Sequence, residues 1–217
     1  PRYVTYTPDI CAHSRSGIIG CTQCLDLCPA GAITPDGDHV AIDAYLCASC
    51  GACASACPTG AAAYSLPSAD AQLTRLRTLL ATYLDAGGKD PVILVHDARR
   101  GEDMLSMMAR LGRGLPANVL PFAVNEVTQI GLDFLLAAPS WGAGAVRLLL
   151  APNKGDERAG LDGQISIANA VLAGLGHGGE RIAALIESDP DALESILWKL
   201  DPGTAMERGD FLPMGKK

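Results

Sequence analysis

Cys47-Ala-Ser-Cys50-Gly-Ala-Cys53-Ala-Ser-Ala-Cys57-Pro58 packs four cysteines into eleven residues and ends them on a proline. Upstream, Cys21-Thr-Gln-Cys24-Leu-Asp-Leu-Cys28-Pro29-Ala-Gly31-Ala repeats the stretch from Cys50 to Ala61, with every Cys, the Pro, the Gly and the final Ala matching at a fixed offset of 29. The segment is an internal duplication. Cys11 is the eighth cysteine, and none follows Cys57 in a chain of 217 residues. A disulfide framework spreads its cysteines through a small secreted fold, so thiols confined to one end mark a local chemical site instead.

The spacing C-x2-C-x2-C-x3-C-P wraps three thiolates around one face of a cubic iron-sulfur cluster and sends the fourth elsewhere. In a duplicated segment the crossing is reciprocal. Cys47, Cys50 and Cys53 with Cys28 are therefore assigned to one [4Fe-4S] cluster, and Cys11, Cys21 and Cys24 with Cys57 to the other. Soft thiolate donors suit iron-sulfur chemistry, and the small neighbours Gly51, Ala52 and Ala54 let backbone N–H groups approach cluster sulfurs. The proline after Cys28 and after Cys57 sets the chain's exit from each ligand helix.

Roughly residues 1 to 66 resemble the bacterial two-cluster ferredoxin family on these motifs. One departure stands out: nine residues, Ala12 to Gly20, separate Cys11 from Cys21 where two are usual. Were Cys11 unable to reach across that insert, its cluster would be three-iron or labile. Two four-cysteine zinc sites could use the same residues, although zinc knuckles pair C-x-x-C motifs without the tight triple.

Between the repeats, Pro35-Asp36-Gly37-Asp38 lies between Ala32-Ile33-Thr34 and His39-Val40-Ala41-Ile42, predicting two short strands around a turn. After Ser68 the pattern turns helical, with Leu73, Leu76, Leu80 and Leu84 in register and Gly87-Gly88 as the stop. Strands and helices then alternate. Strands are expected at Pro91 to Val95, Asn118 to Val124, Ala145 to Ala151 and Arg181 to Ile186. The helical faces are Met104, Met107, Met108 and Leu111; the stretch Ile130 to Ala138; Ile165, Ala168, Val171, Leu172 and Leu175; and Leu193, Ile196, Leu197 and Leu200. Four βα units imply a parallel sheet covered on both sides. Pro121, lacking a ladder donor, belongs at a sheet edge, which the doubly wound order 2-1-3-4 provides.

The fold class expected is thus an α+β two-cluster ferredoxin domain at 1–67, a linker helix at 68–90, a flavodoxin-like α/β doubly wound domain with a four-stranded parallel sheet at 91–201, and an irregular tail at 202–217. Residues 91 to 200 resemble the delta subunit of methyl-viologen-reducing hydrogenase. That resemblance rests on Val92 to Val95 leading into a Gly-Glu-Asp helix, on Asn118-Val-Leu-Pro-Phe, and on Gly142-Ala-Gly144-Ala-Val-Arg-Leu-Leu-Leu. Members with an extra [2Fe-2S] cluster hold it on cysteines after the first strand and in later loops; after its first strand this chain has His96-Asp97-Ala98-Arg99-Arg100. No third cluster is expected, and the resemblance implies a docking or scaffold role.

Ligands of such sheets sit at the carboxyl ends of the strands. His96, Asp97, Arg99, Arg100, Asn125, Glu126, Asn153 and Lys154 should gather there, with Arg99 and Arg100 at a helix start and His96 on local backbone groups. Gly174-x-Gly176-x-x-Gly179 matches a dinucleotide fingerprint only formally, because it follows a helix and precedes a strand. No nucleophile, base and orienting acid assemble, so no catalytic residue is assigned.

With 17 Lys and Arg against 24 Asp and Glu, the net charge is −7 and no basic run is present, which argues against nucleic acid. Eight thiolates would add eight negative charges and two doubly positive cores return four, giving a holoprotein of about −11. An acidic field favours a redox enzyme partner with a basic docking surface. No apolar run approaches a membrane span. The amino terminus, Pro1-Arg2-Tyr3, has neither Met nor a secretory signal and suggests a piece of a longer polypeptide or complex; the cysteine usage is what points to the cytoplasm. The function expected is one-electron relay through two [4Fe-4S] clusters within a hydrogenase, heterodisulfide reductase or formate dehydrogenase type system. The alternative is an interaction or maturation protein whose clusters are structural. A nucleotide-binding enzyme in the α/β half is a third possibility.

Overall fold

The computed structural model describes residues 3–13, 17–18, 20–152 and 155–211. Among them no helix is long and apolar enough to cross a membrane. The amino-terminal half runs β1 (Val4–Tyr6), α1 (Gln23–Asp26), β2 (Ile33–Asp36), β3 (His39–Ile42), α2 (Ala52–Ala56) and β4 (Ala62–Tyr64). The repeat offset of 29 carries α1 onto α2 and the start of β2 onto the start of β4, so sequence duplication becomes structural duplication. β1 pairs with β4 and β2 with β3, both antiparallel. Val4, Ile33, Val40, Cys53, Ala62 and Tyr64 form a core of their own. So few buried side chains leave this half dependent on other bracing.

From α3 (Ala69–Asp85) onward the chain continues as β5 (Val92–Asp97), α4 (Arg100–Leu111), β6 (Val119–Val124), a 3-10 turn at Val127–Gln129, α5 (Leu132–Ser140), β7 (Ala145–Leu150), α6 (Gly155–Gly174), β8 (Ile182–Ile186) and α7 (Pro190–Lys199). The four strands are parallel in the order β6-β5-β7-β8. In sequence order that is 2-1-3-4, with Pro121 on the edge strand, where its missing N–H costs no ladder bond.

Period-two alternation distributes the strands' side chains between two layers. Ile93, Val95, Val146 and Leu148 pack with α3, α5 and α6, whereas Val92, Leu94, Ala145 and Leu149 pack with α4 and α7. The segment expected to be a linker helix belongs to the first layer. Leu73, Leu76 and Leu80 of α3 are buried there, each contributing about 1.5–3 kcal/mol by removal from water. Ser68, whose hydroxyl accepts from the Ala71 N–H, caps its start.

Several expected faces are narrower in the fold. Met104 and Met108 are buried, but Met107 and Leu111 are exposed. Val171, Leu175 and Ile196 also face solvent, leaving Ala168, Leu172, Leu193 and Leu197 as the buried rows. A helix lying on a sheet buries only the stripe it touches, so apolar residues one step around the helix stay wet. The helix expected from Ile130 starts at Leu132, after the 3-10 turn. Residues 201–211 are irregular yet attached: Met206 packs on the larger core, and Phe211 lies against Trp141. Residues 212–217 lie outside the described residues.

Candidate metal centres

The eight cysteines lie in or beside two short helices, on the loops that lead into and out of them, and at Cys11 after a 3-10 turn, with no disulfide joining them. Cys11, Cys21, Cys24 and Cys57 line one small cavity, here called site one. Cys28, Cys47, Cys50 and Cys53 line a second, site two. These are the groups into which the spacing divides the thiols, each with one member from the opposite repeat. The proline after the crossing cysteine also lines each cavity, Pro58 at site one and Pro29 at site two. Cys11 stands at site one despite the insert, of which residues 14–16 and 19 lie outside the described residues.

Backbone N–H groups face the crossing sulfurs. Ala32 donates to Cys28 Sγ at 3.3 Å and Ala62 to Cys57 Sγ at 3.4 Å. Burial raises the Cys57 thiol's pKa, but the Ala62 N–H with the Thr59 and Gly60 groups outweighs it, and the net shift is downward. Cys24 and Cys53 go the other way. Burial, then neighbouring thiols, pushes Cys24 up to about 11 and Cys53 up to about 12. Cys24 is among the groups acting on Cys53, so the two sites are electrostatic neighbours.

At site one, burial and a hydrogen bond to Cys11 raise the Tyr6 phenol to about 12, and its oxygen accepts from the Val40 N–H at 3.2 Å. His13 also lines this cavity, with Nδ1 2.8 Å from the Cys21 carbonyl. Site two is held differently. Thr128 Oγ1 donates to the Cys50 carbonyl at 2.6 Å. Tyr64 OH donates to the Ser49 carbonyl at 2.9 Å and accepts from Asn125 Nδ2 at 2.6 Å. Gly51, at φ 78°, lies so close to Gln129 that a Cβ would stand 2.5 Å from the Gln129 Cβ. Gln129 Oε1 in turn accepts from Gln72 Nε2 at 2.9 Å. Three successive residues of the site-two ligand loop thus rest, directly or through Tyr64, on the α/β half.

The sequence pattern singles out none of Thr128, Gln129 and Tyr64, because their partners lie 15 to 78 positions away. Asn125, expected at a ligand crevice, instead holds Tyr64. His96 is buried with Nδ1 3.0 Å from the Asp97 carbonyl, while Asp97 accepts from the Arg99 and Gly101 N–H groups at the start of α4. Arg99 and Arg100 are exposed there, and Glu126 is half-buried. Asn153 and Lys154 lie outside the described residues. Asp97 thus ties down the start of α4, and Asn125 joins the α/β half to the amino-terminal half.

The donor set fits iron-sulfur clusters. Each cavity offers four soft thiols and backbone N–H donors, and among the described residues no carboxylate lines either. In class, residues 19–61 match the 4Fe-4S dicluster domain family. The match takes in seven of the eight cysteines and leaves out Cys11 and the α/β half. A named relative is a component of the ion-translocating oxidoreductase complex of Methanosarcina acetivorans, 44% identical over 50 residues, which are 23% of this chain and 19% of that protein. The chain thus spans less than one fifth of the length of the curated relative it matches.

Proposed function

We propose that this chain is an iron-sulfur electron-transfer module that holds two [4Fe-4S] clusters and relays single electrons within a larger oxidoreductase system. Cys11, Cys21, Cys24 and Cys57 would be the ligands of one cluster, and Cys28, Cys47, Cys50 and Cys53 those of the other. The observation that carries this reading is the pair of four-thiol cavities, each completed by a cysteine from the other repeat. The dicluster-domain match and the oxidoreductase-complex name of the relative support it. Bound there, the clusters would supply one-electron, outer-sphere chemistry.

The protein's own groups would tune that chemistry. Thiolates hold the metal, while the Ala32 and Ala62 N–H groups offset negative charge on Cys28 and Cys57, favouring the reduced state. Tyr6 would do the same for Cys11. The α/β half, on its resemblance to the hydrogenase delta subunit, would dock the module to its enzyme, which would present a basic surface to an acidic partner. No third cluster is expected in that half.

Iron and sulfide analysis after anaerobic purification should give about eight of each per chain. Stepwise reduction should develop the paramagnetic signals of two clusters and reverse on reoxidation. Zinc in the thiol sites, disulfides between them, or clusters that collapse in one redox cycle would overturn the reading.

A further inference from the structure

Resting on the electron-transfer reading, we propose that electrons pass between this chain and its partner at site two, across the exposed turn formed by residues 43–46. The partner is an electron-transfer protein that sets lysines or arginines around an apolar contact. The turn leads straight into Cys47 and displays its apolar groups outward: Tyr45 is 100% and Leu46 58% exposed. The display is held in place. Asp43 Oδ1 accepts from the Tyr45 N–H at 2.8 Å and the Leu46 N–H at 3.3 Å. The Cys47 N–H donates to the Asp43 carbonyl at 3.1 Å, and the Asp43 N–H to the Ala32 carbonyl at 2.8 Å.

A preorganised aromatic lowers the ordering cost of docking, and tyrosine is enriched among residues that dominate interfaces. A protein seated on Tyr45 and Leu46 would lie against the site-two loop itself, because Ala48, just beyond Cys47, is also exposed. The α/β half grips that loop further along, at Ser49, Cys50 and Gly51.

Charge selects the occupant. Among the described residues of 3–67, every Asp, Glu, Lys or Arg is an exposed aspartate: Asp9, Asp26, Asp36, Asp38 and Asp43. Asp36 and Asp38 flank the tip of the β2–β3 hairpin, and β3 runs from that tip toward Asp43. A second copy would bring the same charges face to face, so a basic surface is the complement. Site one offers a weaker alternative. Ile18 stands where the repeat offset places the twin of Cys47, and it is 71% exposed, but no aromatic accompanies it among the described residues.

The test uses the whole chain with both clusters loaded and reduced, and lysine-rich cytochrome c as the electron acceptor. Tyr45→Ser with Leu46→Ser should lower the second-order rate constant about tenfold at low salt, while Ile18→Ser should change it by less than about twofold. Asp36→Asn with Asp38→Asn should flatten its salt dependence. Iron content and both midpoint potentials are measured for every variant and should match the parent. Should the turn variant lose iron, carbodiimide cross-linking of the parent to cytochrome c decides: links at Asp36, Asp38 or Asp43 support the port, and links confined to Asp9 or the α/β half overturn it. An unchanged rate in the turn variant, or an equal loss in Ile18→Ser, also overturns it. A parent whose clusters cannot be reversibly reduced sinks the electron-transfer reading instead, and this proposal with it.

Discussion

At the position where site two has Gly51, site one has Thr22, and the two backbones diverge there: φ is 78° at Gly51 and −122° at Thr22. Thr22 keeps an ordinary side chain whose hydroxyl donates to Asp26 at 2.7 Å, in solvent. Gly51 has no room for one, because Gln129 of the α/β half lies against it. The repeats share a cysteine pattern, but one site is braced by Tyr6 and Val40 from its own half and the other by Thr128, Gln129 and Asn125 from the α/β half. Duplication supplies two similar thiol-lined cavities, and the neighbour makes them unequal.

The largest expected effects test the crossing of ligands on which both sites depend. Cys57→Ala should abolish the site-one cluster although Cys57 sits in the second repeat, and Cys28→Ala should abolish the site-two cluster. Iron per chain should fall from about eight to about four in each, with one set of paramagnetic signals lost. Loss of the site-two signals in Cys57→Ala and of the site-one signals in Cys28→Ala would mean that the thiols do not cross.

Gly51→Ala should be the next most damaging change, since it forces a left-handed backbone onto alanine and drives a methyl into Gln129. We expect a loss of about 3 kcal/mol in denaturant unfolding. Its counterpart, Thr22→Ala, removes one exposed hydrogen bond and should cost within about 0.5 kcal/mol. Equal costs would show that the domain contact does not distinguish the repeats.

Thr128→Val keeps the shape of the side chain but leaves the Cys50 carbonyl without its donor, at about 1–3 kcal/mol. The site-two midpoint potential should move and the site-one midpoint stay, with Thr128→Ser restoring the parent value. Tyr6→Phe is the reciprocal and smaller change. Losing a hydrogen bond to Cys11, worth about 1 kcal/mol, should lower the site-one potential by roughly 50 mV in a one-electron couple. Spectroelectrochemical titration of the two couples reads both.

Local chemistry makes much of this molecule legible in its residues. Cysteine spacing divides the thiols into the groups that line the two cavities, because loops this short leave a thiol little freedom of reach. Pro121 points to an edge strand because a missing N–H is tolerated only there. Apolar runs locate the strands, yet the same periodicity draws Met107, Val171, Leu175 and Ile196 into faces that the fold leaves in water. Periodicity identifies which residues share a helical stripe, but the width of that stripe depends on the surface opposite. The role of α3 is hidden for the same reason: its leucines announce a buried face without saying which core receives it.

From the chain alone came the duplicated thiol pattern, the net negative charge and the order of the parallel strands, all of which depend on composition, on residues close in sequence or on intrinsic backbone limits. Only the tertiary structure decided that Thr128 would meet Cys50 across 78 positions and that Gly51 would lie beneath Gln129. Such pairings leave no periodic trace, because each is made by two surfaces that come together only when both halves have folded.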